Sequence, residues 1–267
     1  MSHPWLDHYP EGVPTSIDVS RYASLNQLLE ESFKHNAERP FSVCMERWMR
    51  FGELDELSRR LGAWLQGQGL EEQARVAIML PNVPTFAVTM AGILRAGYTC
   101  VNVNPLYTAR ELRHQLQDSG ATAIVILENF AHTLEEVIDQ TSVKTVLVAS
   151  MGDLLGGWYG HWITFAVTAD GSPRTILPLK RVLQEGAGLT LRSPQVNLDS
   201  IAFLQYTGGT TGLSKGAVLT HRNVVAATLQ AEAWFSPALS RTGDIRNTNS
   251  IAALPLYHIF ALTLCFL

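Results

Sequence analysis

The middle of the chain alternates between short apolar runs and longer segments in which apolar residues recur at helical spacing. The apolar runs are RVAIML, YTCVNV, ATAIVIL and KTVLVA, each about as long as a buried strand. The segments between them, VPTFAVTMAGILRAG, TARELRHQLQDSG and FAHTLEEVIDQ, have the periodicity of helices that bury one face. The second of these helices begins at a capping box formed by Thr108 and Glu111. Because such strands pair in parallel with helices on both faces, the pattern predicts an α/β fold of layered parallel sheets.

Before this region the sequence predicts a surface segment and two further helices. Residues 1–23 are rich in Pro, Tyr and polar groups, and we expect them to wrap the surface of the first domain. A helix then begins at a capping box formed by Ser24 and Gln27. Two short strands near FSVCM and WMRF lead into a second helix, which ends at Gly67 and Gly69.

The pattern also predicts a division into two subdomains, residues 1–199 and residues 200–267. From position 151 to position 199 the pattern degrades into Gly, Pro, Ser and scattered aromatic residues, which we interpret as an excursion from the first subdomain. We expect its aromatic residues to pack back on the domain, and a patch at a membrane or at the entrance for an apolar substrate is the alternative. These residues are Trp158, Tyr159, Trp162 and Phe165. The segments SIAFLQYT and GAVLT then predict strands, and RNVVAATLQAEAWF predicts a helix.

The last 17 residues, IAALPLYHIFALTLCFL, are almost entirely apolar. They fall just under the ~18 apolar residues that indicate a transmembrane helix, and Pro255 and His258 interrupt them. A buried strand followed by a turn is the favoured interpretation. No polar turn or helix cap follows the run, so we expect a longer parent protein, with an exposed apolar patch near Leu267 in this chain.

Composition and charge exclude several classes of protein. Apolar residues make up 46% of the 267 positions and charged residues 16%, which excludes a disordered chain. The net charge is −4 and the basic residues are scattered, so no nucleic-acid-binding surface is indicated. Cys44, Cys100 and Cys265 are far apart and predict reduced thiols in a cytoplasmic protein. The sequence contains no CxxC or HExxH spacing for a metal and no secretory signal.

Residues 205–223, QYTGGTTGLSKGAVLTHRN, are too rich in Gly and Thr to form a helix or a plain strand. A strand that leads directly into a Gly-rich turn exposes backbone N–H groups that suit a phosphate. The glycines let a ligand approach closely, the hydroxyl groups add donors, and Lys215 adds a positive charge. Walker A spacing is excluded, because Ser214 precedes Lys215 and Gly216 follows it. We therefore interpret the stretch as a phosphate-binding loop rather than as a turn without a ligand.

These residues also carry a family resemblance. The stretch LQYTGGTTGLSKGAVLTHRN resembles the loop of the adenylate-forming enzymes, which include acyl-CoA synthetases, firefly luciferase and peptide-synthetase adenylation domains. It departs from the usual pattern at Ser214, where many members have Pro. The segments NVNPLYTARELRHQLQDSGA and ALPLYHIFALT are most similar to bacterial long-chain fatty acyl-CoA ligases. The resemblance spans nearly the whole chain and is weakest over residues 152–195.

The resemblance implies the N-terminal domain of a fatty acid–CoA ligase and a two-step reaction. A fatty carboxylate reacts with Mg²⁺-bound ATP to give an acyl-adenylate, and coenzyme A then displaces AMP. The residues implied to bind the phosphates are Thr207, Gly208, Gly209, Thr210, Thr211, Gly212 and Lys215. The catalytic residue implied at the carboxylate and adenylate pocket is His258, with Tyr257 and Phe260 as apolar wall. His221 could join this pocket, but it is not included in the predicted site because it is also a plausible residue at a helix N-terminus. His114 is expected to be solvated.

Several parts of the family's apparatus are not found in this sequence. The resemblance implies a later Glu for Mg²⁺, an Asp for the ribose hydroxyls and a C-terminal lid domain with a Lys, so the chain alone is expected to be inactive. Alternatives are another adenylate-forming enzyme, such as a medium-chain or aryl-CoA ligase or a peptide-synthetase adenylation domain, or a non-enzymatic nucleotide-binding remnant. Chain length of the acid, oligomeric state and peripheral contact with the inner membrane are left open.

Overall fold

The computed structural model describes residues 4–155, 174–207, 214–241 and 249–267. The strands in this part of the chain are β1 Pro40–Cys44, β2 Arg47–Arg50, β3 Arg75–Met79, β4 Thr99–Asn102, β5 Ala123–Leu127, β6 Thr145–Ala149, β7 Thr175–Pro178, β8 Ile201–Thr207 and β9 Lys215–Thr220. The helices are α1 Leu25–His35, α2 Phe51–Gln66, α3 Pro84–Arg95, α4 Ala109–Ser119, α5 Ala131–Glu135, α6 Leu179–Glu185, α7 His221–Arg241 and α8 Ile259–Cys265.

The last seven of these strands form one sheet in the order β7-β6-β5-β3-β4-β8-β9. All its neighbouring pairs are parallel except β8 and β9, which are antiparallel. The remaining strands, β1 and β2, form a separate antiparallel hairpin. The predicted α/β fold with a parallel sheet and flanking helices is confirmed, with β9 as an antiparallel addition at one edge.

Alternate residues of the central strands supply the two faces of the sheet, because successive side chains of a strand point to opposite sides. In β3, Val76 and Ile78 belong to the core on one face, which also contains side chains of α1, α2, α3, α6 and α7. Ala77 and Met79 belong to the core on the other face, which contains side chains of α4 and α5. Both faces are therefore covered, as the continuous apolar runs predict.

The capping residues predicted from the sequence begin the helices as expected. The Ser24 hydroxyl accepts a hydrogen bond from the backbone N–H of Gln27, and the Gln27 side chain accepts one from Ala23 instead of closing the box on Ser24. Thr108 and Glu111 form a complete capping box at the start of α4. These local bonds fix the residues at which α1 and α4 start.

The described part of the stretch from position 151 to position 199, residues 151–155 and 174–199, is more regular than its sequence suggests. It contains β7 and α6, and β7 pairs in parallel with β6. The aromatic cluster Trp158, Tyr159, Trp162 and Phe165 lies outside the described residues. The predicted division between residues 199 and 200 stays a prediction for the protein's subdomains. In the described part of the chain the sheet continues across it, since β8 pairs with β4.

The prediction of a buried strand and turn for the last 17 residues is wrong. Positions 251–258 have irregular backbone, and α8 follows as a short helix. Apolar composition alone does not distinguish a strand from a helix segment, and Pro255 lacks the N–H that a strand would need for pairing. Ile251 is 91% exposed and Phe260 55% exposed, so this end of the chain presents apolar side chains. Among the described residues, no helix is both long enough and apolar enough to cross a membrane.

Candidate functional site

The Gly/Thr stretch follows β8, which ends at Thr207 at the carboxyl edge of the parallel strands, and precedes β9, which begins at Lys215. Thr207 at the end of β8 is the cross-strand partner of Lys215 at the start of β9, and Tyr206 is the partner of Gly216. Paired residues of antiparallel strands have Cα atoms about 5 Å apart, so the end of β8 and the start of β9 lie side by side. Ligands of open α/β sheets bind at this edge, outside the carboxyl ends of the strands.

The structure places the two ends of the predicted phosphate site next to each other. Thr207 and Lys215 are both exposed, and within the described ranges Lys215 makes no ion pair. The remaining predicted residues, Gly208, Gly209, Thr210, Thr211 and Gly212, lie outside the described residues. A lysine beside a run of backbone N–H groups suits a polyphosphate, which needs both charge and several donors.

The aromatic–His segment is held against the same edge by two amide side chains. The amide of Asn82, after β3, donates to the carbonyls of Ala252 and Leu254 at 2.8 Å each, and its oxygen accepts from the N–H of Leu256. The Gln205 amide of β8 donates to the carbonyl of Tyr257 at 2.9 Å. The residues just before His258 are therefore attached to the strand that leads into the loop.

His258 is exposed and caps the start of α8. Its Nδ1 accepts a hydrogen bond from the backbone N–H of Phe260 at 3.3 Å. In a neutral ring the proton is therefore on Nε2, which can donate to an oxygen of a ligand. Tyr257 packs partly against the core. In the described part of the chain, no hydrogen bond joins His258 to Thr207 or Lys215.

The expectation that His114 is solvated is wrong. It is half-buried on α4, and its Nε2 lies 3.0 Å from the carbonyl oxygen of Ser214, the residue before Lys215. Asp118, one turn further along α4, accepts a hydrogen bond from the Tyr206 hydroxyl at 2.5 Å. The spacing of four residues between His114 and Asp118 places both on one face of the helix, but nothing in the sequence relates that face to the loop.

Tyr206 and Gly216 form a close contact between the two strands that flank the loop. A Cβ atom added to Gly216 would lie 2.9 Å from Cζ of Tyr206, so only glycine leaves room for the ring. Burial, and secondarily the hydrogen bond to Asp118, raise the pKa of Tyr206. Burial also raises the pKa of Tyr107, and a hydrogen bond with the Ser214 side chain opposes that rise. Three residues outside the glycine-rich motif therefore form hydrogen bonds with residues at its two ends, Ser214 and Tyr206. They are His114, Asp118 and Tyr107.

His221 has a structural position in the described contacts. It is 1% exposed, and its Nδ1 accepts a hydrogen bond from the backbone N–H of Leu25 at 3.1 Å. That N–H is one of the unpaired donors at the start of α1, so the ring joins the beginnings of α1 and α7. Burial lowers the pKa of His221 from 6.5 to about 4. The ring is therefore neutral near pH 7.

Comparison with known proteins identifies a family and relatives that are similar to this chain. A family model described as AMP-binding enzyme matches residues 29–267. The chain is similar to the long-chain-fatty-acid–CoA ligase of Salmonella typhimurium, with 46% identity over 99% of this chain and 48% of the relative. It is also similar to 4-coumarate–CoA ligase 5 of Oryza sativa subsp. japonica, with 30% identity over 86% of this chain and 39% of the relative.

Solved structures of other proteins share the fold of this chain. The structure of a long-chain-fatty-acid-CoA ligase from Archaeoglobus fulgidus superposes with a TM-score of 0.68 at 23% identity, over 96% of this chain and 47% of that one. Mycobacterium smegmatis MbtA gives a TM-score of 0.68 at 26% identity, over 91% and 42% of the two chains. The chain spans about half the length of the curated relatives it matches. Since the family model covers most of its residues, the chain belongs to the AMP-binding enzyme family.

Proposed function

We propose that this chain is part of an ATP-dependent ligase that joins a long-chain fatty acid to coenzyme A. The observation that carries the proposal is the stretch TGGTTGLSK, joined to adjacent strand ends within a chain 46% identical to long-chain-fatty-acid–CoA ligases. In the first step a carboxylate oxygen bonds to the α-phosphorus of ATP as the bond to pyrophosphate breaks. In the second the thiolate of coenzyme A bonds to the acyl carbon as the bond to AMP breaks.

The loop's proposed task is to hold the β- and γ-phosphates so that pyrophosphate leaves in line with the attacking oxygen. Thr207 supplies a hydroxyl at the end of β8, and Lys215 supplies a charge that contacts the γ-phosphate. Between them, the backbone N–H groups and hydroxyls of Gly208, Gly209, Thr210, Thr211 and Gly212 are proposed to bind the phosphate oxygens. Charge that develops on the leaving group is thereby neutralised without movement of water.

His258 is proposed to contact the acyl carboxylate and the adenylate. The Nε2–H that its cap to α8 leaves available is a suitable donor to a carboxylate oxygen. Tyr257 and Phe260, on either side of it in sequence, are proposed as apolar wall. Within the described ranges no group of three or more His, Cys, Asp or Glu could hold a metal. Mg²⁺ is proposed to be bound together with ATP, since enzymes of this kind hold it largely through substrate phosphates.

The proposal is tested by assaying the full-length protein for acyl-CoA. Palmitate, Mg-ATP and coenzyme A should give palmitoyl-CoA and AMP in equal amounts, and Lys215→Ala should lower kcat/KM for ATP about 100-fold or more. Glu232→Ala, a charge change on the exposed side of α7, serves as the control and should change activity less than twofold. Formation of ADP instead of AMP, or an undiminished Lys215→Ala enzyme, would contradict the proposal.

A second acid class follows from the similarity to the rice 4-coumarate ligase. The same assay with 4-coumarate in place of palmitate separates the two. A kcat/KM higher for 4-coumarate than for palmitate would replace the fatty acid by an aryl acid and leave the loop chemistry intact.

We also propose a cytoplasmic location with peripheral contact at the inner membrane. Cys44, Cys100 and Cys265 are free thiols, as expected in a reducing compartment. Flotation of the full-length protein with liposomes, compared with Trp158→Ala and Trp162→Ala variants, tests the membrane contact. Equal recovery of all three proteins in the lipid fraction would remove these tryptophans from it.

A further inference from the structure

We propose that His114 and Asp118 of α4 are positioning residues that fix the two ends of the phosphate-binding loop, an inference that rests on the function proposed above. Neither residue belongs to the Gly/Thr motif. They contact its last residue and its flanking strands from outside. We refer to this pair, His114 and Asp118, as the α4 clamp.

On the β9 side the α4 clamp acts through the backbone. His114 Nε2 lies 3.0 Å from the carbonyl oxygen of Ser214, and because a carbonyl only accepts, the ring must donate. Ser214 is the last loop residue before Lys215, so this bond restrains the point at which the lysine enters β9. The Ser214 side chain is held as well, by its hydrogen bond with Tyr107.

On the β8 side the α4 clamp acts through an aromatic ring. The Tyr206 hydroxyl donates to the Asp118 carboxylate at 2.5 Å, and Tyr206 directly precedes Thr207. The same ring lies where a Cβ of Gly216 would be, one residue after Lys215. Asp118 therefore restrains a ring that touches both strands, and β9 depends on it because its own side chains are mostly exposed.

The helix that carries the α4 clamp is itself firmly attached to the sheet. Leu112 and Leu116 are buried against the central strands. Gln115 is fully buried, and its amide donates to the carbonyl of Asn102 at 2.8 Å. The capping box at Thr108 fixes the start of the helix. Because α4 is held in this way, its side chains can fix the positions of the residues they contact at the ends of the loop.

At Asp118 the clamp and simple electrostatics predict opposite changes in the affinity for ATP. A carboxylate near a triphosphate repels it, so removal of Asp118 by simple electrostatics should tighten ATP binding. The clamp predicts the opposite for Asp118→Ala, because the Tyr206 hydroxyl loses its acceptor and the ring is released. Asp118→Asn keeps an oxygen acceptor without the charge, and should bind ATP at least as tightly as the unmodified protein.

The test is the dissociation constant of Mg-ATP for the full-length protein, measured by calorimetry. We expect His114→Ala and Asp118→Ala to weaken binding about five- to tenfold each, the effect of one lost hydrogen bond on a loop. Gln117→Ala is the matched control. It lies on the same helix and loses a bond of 2.7 Å to the carbonyl of Gln140, away from β8 and β9. It should leave the dissociation constant unchanged.

The outcomes separate the two proposals. Unchanged or tighter binding in Asp118→Ala and His114→Ala, while Lys215→Ala weakens it, would overturn the clamp and leave the ligase intact. If the control weakens ATP binding as much as the clamp variants do, the effect is a general loss of stability and the clamp is overturned. Weaker binding in the clamp variants of a protein that makes no thioester from any acid would support the clamp and overturn the ligase. A protein that binds no ATP would overturn both.

Discussion

The two strands that flank the loop differ in how they are held. β8 lies between β4 and β9, with most of its side chains buried, and Phe203 at its centre is 0% exposed. Among the described strands β9 pairs with β8 alone, and Val218 at its centre is 55% exposed. The core of the sheet positions one end of the loop, whereas the other end depends on pairing to β8 and on side chains from α4. The proposed phosphate site would therefore combine one strand end held in the core with one that depends on its neighbours.

Truncation of the buried centre of β8 should have the largest effect on stability. Phe203→Ala removes a fully buried ring and should lower the free energy of unfolding by about 3–5 kcal/mol. Val218→Ala on the exposed strand should lower it by less than about 1 kcal/mol. Urea-unfolding curves of the two variants measure the difference directly. Equal losses would mean that the two strands are held alike.

Acidification should lower the free energy of unfolding through His221, the residue at which β9 passes into α7. The folded state lowers the pKa of His221 from 6.5 to about 4, so the unfolded chain binds the proton more tightly. The stability contributed by the neutral ring is therefore present above pH 6.5 and is lost as the pH falls toward 4. The loss amounts to about 2 kcal/mol between pH 7.5 and pH 5.

A non-titrating variant isolates this effect. His221→Asn keeps an oxygen that can accept from the N–H of Leu25, and its stability should depend less on pH by about 2 kcal/mol over the same range. His35→Asn, at an exposed position of α1, is the control and should keep the pH dependence of the unmodified protein. If the His221→Asn protein loses as much stability on acidification, another group is responsible.

A smaller effect is expected at the contact between the strands. Gly216→Ala places a methyl group 2.9 Å from the Tyr206 ring and should cost about 1–2 kcal/mol. Gly188→Ala is the control, since no atom lies within 4 Å of its added Cβ. In a Tyr206→Ala background the Gly216→Ala cost should disappear, because coupled residues are not additive. Thermal unfolding of the unmodified protein, the two single variants at positions 206 and 216, their double variant and the Gly188→Ala control decides this, and an equal cost in both backgrounds would exclude the contact.

Predictability from the sequence follows the same difference between buried and exposed regions. The runs of β3, β4, β5 and β6 are continuous and apolar because both their faces are buried, and periodicity identifies them. β7 is only partly buried, and the segment before it is irregular in composition, so its membership of the sheet was missed. The segment around α8 was predicted as a strand because apolar composition does not distinguish a buried strand from a short buried helix.

The candidate site divides similarly. The loop and Lys215 are visible in the sequence because Gly, Thr and Lys occur together at a strand end. The α4 clamp is not visible there, because His114 and Asp118 lie 100 and 88 residues from their partners in sequence. Only the packing of α4 beside β8 and the start of β9 brings them together. Long-range hydrogen bonds of this kind need a structure, even where the helix that supplies them is correctly predicted.

The loop between β8 and β9 is proposed to bind the pyrophosphate part of ATP during acyl-adenylate formation. Acid-dependent exchange between ATP and radioactive pyrophosphate tests it most directly, because this step needs no coenzyme A. The full-length protein should catalyse exchange with palmitate and none without an acid, and Lys215→Ala should exchange about 100-fold more slowly. Exchange at an undiminished rate in the Lys215→Ala protein, or exchange that does not depend on an acid, would contradict this role of the loop.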